Sequence, residues 1–245
     1  MSRYFLEVSY KGTAYSGFQS QQNTDKTIQA EVEKAFSVLQ KEEVVMTGSS
    51  RTDAGVHALQ NYFHFDYEGE VHPQFLYKMN AILPGDIVIR KLMPVSADAH
   101  CRFDAVSREY RYYIYPWKDP FLQDRAFYFP YRIVIEKMHE AAGVIKEYTD
   151  FTSFSKRNTQ VKTFECRILE SEWEVGEGRL VYHVKANRFL RGMVRALTAT
   201  MLQVGRGKLD MEGFRGVIES RDCTRANFAV PARGLFLERV EFEGI

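Results

Sequence analysis

Residues 3–10 alternate, with Tyr4, Leu6 and Val8 on one face of an extended segment. They predict an opening strand that runs into a Gly/Ser-containing loop reaching Gly17. Over residues 27–40 the apolar positions Ile28, Val32, Ala35, Phe36 and Leu39 recur at helical spacing, and Glu31, Glu33 and Lys34 take the other face, which predicts an amphipathic helix. Short apolar runs at residues 44–46 and 61–65 predict strands on either side of a loop at residues 48–55. Residues 73–83 read as a helix and 87–92 as a strand. The order is β-α-β-β-α-β.

The second half repeats it: a strand at 108–115, a helix at 136–148, a hairpin turning at 176–178, a helix at 190–204 and a strand at 235–242, with an additional short helix near 211–219. The predicted class is therefore α+β, built from two tandem ferredoxin-like (split β-α-β) halves at residues 1–106 and 107–245. The repeat lies in topology, without convincing residue identity between halves. Residues 116–130, aromatic and Pro-punctuated but aperiodic, are the candidate connection between them.

Composition narrows the classes. The chain has 245 residues, 45% hydrophobic, 14% aromatic and 27% charged, the balance of a folded domain and not of a disordered or collagenous chain. No window approaches the roughly 20 uninterrupted apolar residues of a membrane span, and the first residues lack a signal-peptide core, so a cytoplasmic protein without membrane contact is expected. Cys101, Cys166 and Cys223 are odd in number and widely spaced, which fits neither a disulfide framework nor a paired metal site; they read as buried small hydrophobes. The six histidines show no zinc-binding spacing, so no metal is expected. The net charge of +1 is uninformative by itself, because an anionic partner responds to local fields.

Three segments could carry chemistry. In Gly48-Ser49-Ser50-Arg51-Thr52-Asp53-Ala54-Gly55-Val56-His57 a carboxylate stands among small residues that let a flat substrate approach. If the segment is extended, Arg51 and Asp53 project from the same side, so the guanidinium could hold the carboxylate or touch a substrate phosphate. Asp53 could act as nucleophile or base, or could simply cap a turn. In the strand at 108–115, Tyr110, Tyr112 and Ile114 share one face, and Arg111, Tyr113 and Tyr115 the other. Such a face could stack bases, although tyrosines are also favoured in strands for ordinary packing. Finally, residues 185–208 hold Lys185, Arg188, Arg191, Arg195, Arg206 and Lys208 with no acid. Arg188, Arg191 and Arg195 fall at i, i+3 and i+7, a basic helix face suited to phosphates. Four glutamates at 170–177 leave a charge-balanced surface as the other reading.

Arg51-Thr52-Asp53-Ala54-Gly55-Val56-His57 resembles the signature of the tRNA pseudouridine synthase A family. Supporting segments follow in order: Tyr10-Lys11-Gly12, Gly17-Phe18-Gln19, Asn80-Ala81-Ile82-Leu83-Pro84, Cys101-Arg102-Phe103, Arg108 with Tyr110-Arg111-Tyr112, residues 150–154, Ala186-Asn187-Arg188-Phe189, Met193-Val194-Arg195 and Gly234-Leu235. Two departures are Ser50, where the family usually has Gly, and Arg191-Gly192, where it often has histidines.

The resemblance implies a pseudouridine synthase fold, with a mostly antiparallel central sheet and a catalytic cleft between the halves. It implies isomerisation of uridine to pseudouridine at positions 38, 39 and 40 of the tRNA anticodon stem-loop. Asp53 would be the nucleophile, attacking uracil C6 or ribose C1′. Tyr110 would pack on the target base and help remove the C5 proton, Arg195 would pair with the carboxylate, and Arg51 would contact the flipped nucleotide or its phosphates. It further implies a homodimer cradling the tRNA, with no cofactor. A non-catalytic RNA-binding module on the same fold is the alternative expectation. A carboxylate-metal nuclease would need several converging acids, where the signature loop offers one.

Overall fold

The computed structural model describes residues 2–157, 161–176 and 178–244. The chain divides into two compact units, residues 1–106 with 236–245, and residues 107–235. The closing strand, which by chain order follows the second half, thus belongs from Phe236 onward to the first. The class is mixed α+β with mostly antiparallel pairing.

The first unit contains β1 (Ser2–Tyr10), α1 (Ile28–Gln40), β2 (Thr47–Gly48), β3 (His57–Tyr67), α2 (Phe75–Ile82) and β4 (Ile87–Val95), closed by most of β9 (Leu235–Phe242). Strands β4, β1 and β3 are antiparallel neighbours, β2 adds antiparallel to β3, and β9 joins the start of β3 in parallel, with His57 opposite Phe236. This is the predicted β-α-β-β-α-β order. α1 starts where its sequence says it should, because the Thr27 hydroxyl accepts the Ala30 amide at 3.1 Å, a cap whose loss costs about 1 kcal/mol. Its Phe36 lies against Phe65, Tyr67 and Phe75, so Tyr4, Leu6 and Val8 of β1 share the helix-covered side of the sheet. The opposite residues of β1, Phe5, Glu7 and Ser9, are buried too. Phe242 of β9 covers Phe5 and Tyr62 on that side, and the buried Glu7 carboxylate accepts the Tyr62 hydroxyl at 2.8 Å.

The second unit contains most of β5 (Ala105–Tyr115), then β6 (Phe127–Tyr128), α3 (Ile135–Val144), β7 (Ile168–Gly176), β8 (Arg179–Ala186), α4 (Met193–Gly205) and α5 (Met211–Glu219). The antiparallel order β5-β8-β7 repeats β1-β3-β2. Residues 116–130 belong inside this unit, since β6 pairs in parallel with the end of β5; they do not connect the halves. The hairpin turns at the expected place, although Glu177 lies outside the described residues. α4, expected from residue 190, begins later. Gly192 takes the left-handed conformation (φ 76°), which ends the preceding backbone path and delays the helix to Met193. Cys101 and Cys166 are buried as expected, and burial pushes the Cys166 thiol up to about 11, whereas Cys223 is partly exposed.

His64 on β3 carries a pH dependence. It is 7% exposed, and burial, with His100 and Arg3 nearby, holds its pKa down at about 4. The unfolded chain takes up a proton near pH 6.5 that the folded chain refuses, so stability is fully present above that pH and falls progressively towards pH 4, by about 1 to 3 kcal/mol. The wild-type urea midpoint should therefore drop more between pH 7 and pH 5 than that of His64→Gln. Equal drops would contradict this assignment.

Candidate active site

The signature loop, residues 49–56, joins β2 to β3 and is fixed from several sides. Asn61, fully buried in β3, accepts the Ser50 amide at 3.2 Å with its side-chain oxygen. Its amide nitrogen donates to the Ser50 carbonyl at 2.8 Å and to the Tyr10 hydroxyl at 3.2 Å. Tyr10 in turn shares a 2.8 Å hydrogen bond with the Thr52 hydroxyl. The Phe18 amide donates to the Thr52 carbonyl at 3.2 Å. Gly17 (φ 115°) lies so close that a side chain there would meet the Thr52 carbonyl oxygen at 3.2 Å and the Asp53 carbonyl carbon at 3.7 Å. The Gly12 amide donates to His57 Nδ1 at 3.1 Å, and a Cβ on Gly12 would overlap the Val56 carbonyl oxygen. Two glycine-bearing turns after β1 thus clamp the backbone that carries Asp53.

On that frame Asp53 is half-buried and Arg51 is exposed. The turn after Asp53 is closed by its backbone carbonyl, which accepts the Val56 amide at 3.2 Å. Ser50 has no positive φ, so the backbone here makes no demand for the glycine usual in the family. The Ser49 and Ser50 hydroxyls are buried without a hydrogen-bond partner among the described residues. Arg51 also lines a cavity of about 360 Å³ together with Phe18, Met46, His100, Arg102 and Phe103.

In the second unit, Tyr110 is half-buried and leans edge-on against Phe189, with ring centroids 5.0 Å apart. The expected stacking face shrinks to this one ring. Tyr112 is fully buried, its hydroxyl donates to the Pro231 carbonyl at 2.7 Å, and Ile114 is also core. Burial holds the Tyr112 hydroxyl well above the usual tyrosine range, with Arg195 and Arg233 opposing. Arg195, in the first turn of α4, donates through Nε (3.0 Å) and Nη2 (2.7 Å) to the Val230 carbonyl. The expected basic helix face does not form. Arg188 and Arg191 precede α4, and Arg206 at its end stacks over the Tyr131 ring at 4.0 Å, so the six cations are spread over a loop, a strand and both helix ends.

Among the described residues, one group could offer ligands to a metal ion: Glu172, Glu174 and His183, whose donor atoms lie within 4.8 Å of one another. These atoms already pair with protein groups. His183 lies 3.3 Å from Glu172 and 2.8 Å from Glu109, and Arg111 pairs with Glu174 at 2.9 Å. Sequence reasoning missed three contributors. Asn61 is one of several polar residues of β3, with Gln60, His64 and Asp66, and no local contrast in the sequence singles it out. Arg102 and Phe103 stand out in the sequence only as a supporting motif, yet they line the cavity beside Arg51.

The tRNA pseudouridine synthase family profile matches residues 7–104 and 148–243, leaving the segment with Tyr110 outside. Proteins named tRNA pseudouridine synthase A are similar along nearly the whole chain. That of Porphyromonas gingivalis is 44% identical, with 99% of this chain and 98% of the relative covered. That of Parabacteroides distasonis is 43% identical, covering 99% and 96%. That of Staphylococcus saprophyticus is 41% identical, covering 97% and 90%.

Proposed function

This chain belongs to the tRNA pseudouridine synthase family, and from that premise we propose that it isomerises uridines 38, 39 and 40 of the tRNA anticodon stem-loop with Asp53 as the nucleophile. As a member it is an isomerase that forms pseudouridine in tRNA; the target positions and the residue roles are the proposal. One observation carries it: a half-buried aspartate on a loop whose backbone is clamped by Gly12, Gly17 and Asn61. A group held this way keeps its geometry without help from the substrate, which is what an attacking carboxylate needs.

A paired uridine hides its glycosidic carbon and must leave the stack, at a cost of a few kcal/mol. Arg51 contacts with the flipped nucleotide or its phosphate, and packing of Tyr110 on the uracil, offset that cost. Asp53 then attacks uracil C6 or ribose C1′. The N1–C1′ bond breaks, the base turns, the C5–C1′ bond forms, the bond to Asp53 breaks so that its carboxylate is regenerated, C5 loses its proton and N1 gains one. The product is an isomer of the substrate, so the balance calls for no electron acceptor and no phosphoryl donor. Arg195 is the cation proposed to partner that carboxylate. A cytoplasmic homodimer that cradles one tRNA between its subunits completes the proposal.

Chemical mapping of pseudouridine in an unmodified tRNA transcript, after incubation with the purified protein, tests it. Modification confined to positions 38–40 is expected; modification elsewhere, or none, would overturn it. In the same assay Tyr110→Phe should retain turnover within about tenfold, while Tyr110→Ala should lose about 10- to 100-fold, in keeping with the 1 to 3 kcal/mol of a base–aromatic stack. A Phe variant as poor as the Ala variant would assign the work to the hydroxyl.

A further inference from the structure

We propose that the cavity lined by Arg51, Arg102, His100 and Phe103 is a second nucleotide site, which holds a neighbour of the target uridine with its base on the Phe103 ring and its phosphate between the two guanidiniums. The inference rests on the reading above that the Asp53 loop faces RNA, and it adds a site on the first unit alone.

The chemistry of the lining selects the ligand. Two arginines and a histidine surround a space of about 360 Å³, and none of the described residues that line it carries a carboxylate, so an anion is favoured and a cation is not. The floor is apolar, formed by buried Phe18 and Met46. Phe103 is 75% exposed and Val45, which lines the same cavity, 86%, so the mouth carries apolar surface that a ligand can cover. An anion with a flat apolar face answers both features, and in a protein that acts on tRNA that ligand is a nucleotide.

The site is also built in advance. Residues 100–104 form a tight turn in which the Asp104 carboxylate accepts the His100 amide at 2.6 Å and the His100 carbonyl accepts the Phe103 amide at 3.1 Å. Beneath it, buried Cys101 donates its thiol to the Thr47 carbonyl at 3.2 Å and lies 3.2 Å from His64 Nδ1. The His100 ring is wedged between His64, 4.5 Å away, and Phe103, 4.1 Å away. Arg102 Cζ stands 5.8 Å from the centre of the Phe103 ring. The turn is therefore pinned to β2 and β3, and Phe103 is presented with little conformational freedom left to lose on binding. Arg51 belongs to this cavity and stands two residues before Asp53, so an RNA strand that delivers a uridine to Asp53 passes its mouth.

The test measures binding of an anticodon stem-loop RNA, and of a set of the same RNA each lacking one base, to the wild type, Phe103→Ala, Phe103→Trp and Arg102→Gln. Phe103→Ala should weaken binding about tenfold, with the loss in turnover carried by KM and kcat within twofold, and Phe103→Trp should restore it. Removing the base that occupies the cavity should weaken wild-type binding by a similar factor and leave Phe103→Ala indifferent. Arg102→Gln should reduce the slope of log K against log salt by about 0.7, one phosphate contact on a single strand. Phe103→Ala binding within twofold of wild type, or sensitive to every missing base alike, would overturn the second site. Those results in a wild type that forms pseudouridine at 38–40 would leave the proposed function standing, whereas a wild type that forms none would sink the function whatever the cavity binds.

Discussion

Replacing Asp53 by Asn is expected to abolish pseudouridine formation, by at least about 10³-fold or about 4 kcal/mol of barrier, and to leave the fold and the affinity for tRNA within a fewfold of wild type. The carboxamide keeps the size of the side chain and removes the nucleophile. Groups other than that carboxylate also hold the loop's path: Asn61, Tyr10 and the turn closed by the Asp53 backbone carbonyl. Single-turnover release of tritium from tRNA labelled at uridine C5 reads the chemistry apart from binding. Release by the wild type alone is expected. Equal release by both proteins would remove Asp53 from the reaction, and release by neither would favour an RNA-binding module without catalysis.

Gly12→Ala comes next in size, and acts at a distance from the reacting atoms. The added methyl would overlap the Val56 carbonyl oxygen and lie 2.9 Å from the Val56 carbonyl carbon. Both are backbone atoms that no rotamer change can move aside, so the turn after β1 and the signature loop must separate. That displacement also strains the hydrogen bond from the Gly12 amide to His57. A loss of about 3 kcal/mol in stability is expected, and of about 10²-fold in turnover, because Val56 is three residues from Asp53 and a 1 Å misplacement has that effect. Gly143 in α3 is the control, since nothing lies within 4 Å of a Cβ there. Gly143→Ala should raise stability by about 0.5 to 1 kcal/mol with turnover unchanged. Urea unfolding and steady-state turnover on both variants check the pair; a Gly12→Ala protein as stable and active as wild type would mean that the clamp does not position the loop.

Local signals account for what the sequence made legible. α1 was readable from its apolar periodicity, and in the structure the capping side chains Thr27 and Asp210 fix the starts of α1 and α5. β1 and β9 were readable from alternation or length. Where a boundary depended on one backbone angle, side-chain pattern misled: Arg188, Arg191 and Arg195 have helical spacing, yet Gly192 keeps the first two out of α4. Residues 44–46 looked like a strand from their apolar character, but Val45 is 86% exposed and the pairing falls at Thr47 and Gly48, opposite His64 and Phe63. Tyr110, Tyr112 and Ile114 share one face of β5, and alternation cannot tell how far along that face the cover extends, so Tyr112 looked as available as Tyr110 until its burial was known. The same holds at the candidate site. Arg51 and Asp53 announce themselves as a motif, whereas the clamp of Gly12 on Val56 and the bracing by Asn61 join residues far apart in the chain, and no local pattern encodes them.

The central claim is that the Asp53 side chain stands beside an extruded uridine, and a structure of Asp53→Asn bound to an anticodon stem-loop RNA measures this directly. The account predicts a uridine turned out of the stack, with its C6 or C1′ about 3 to 3.5 Å from the carboxamide at position 53. A uridine left stacked in the RNA, or extruded against some other part of the protein with position 53 turned away from every nucleotide, would contradict it.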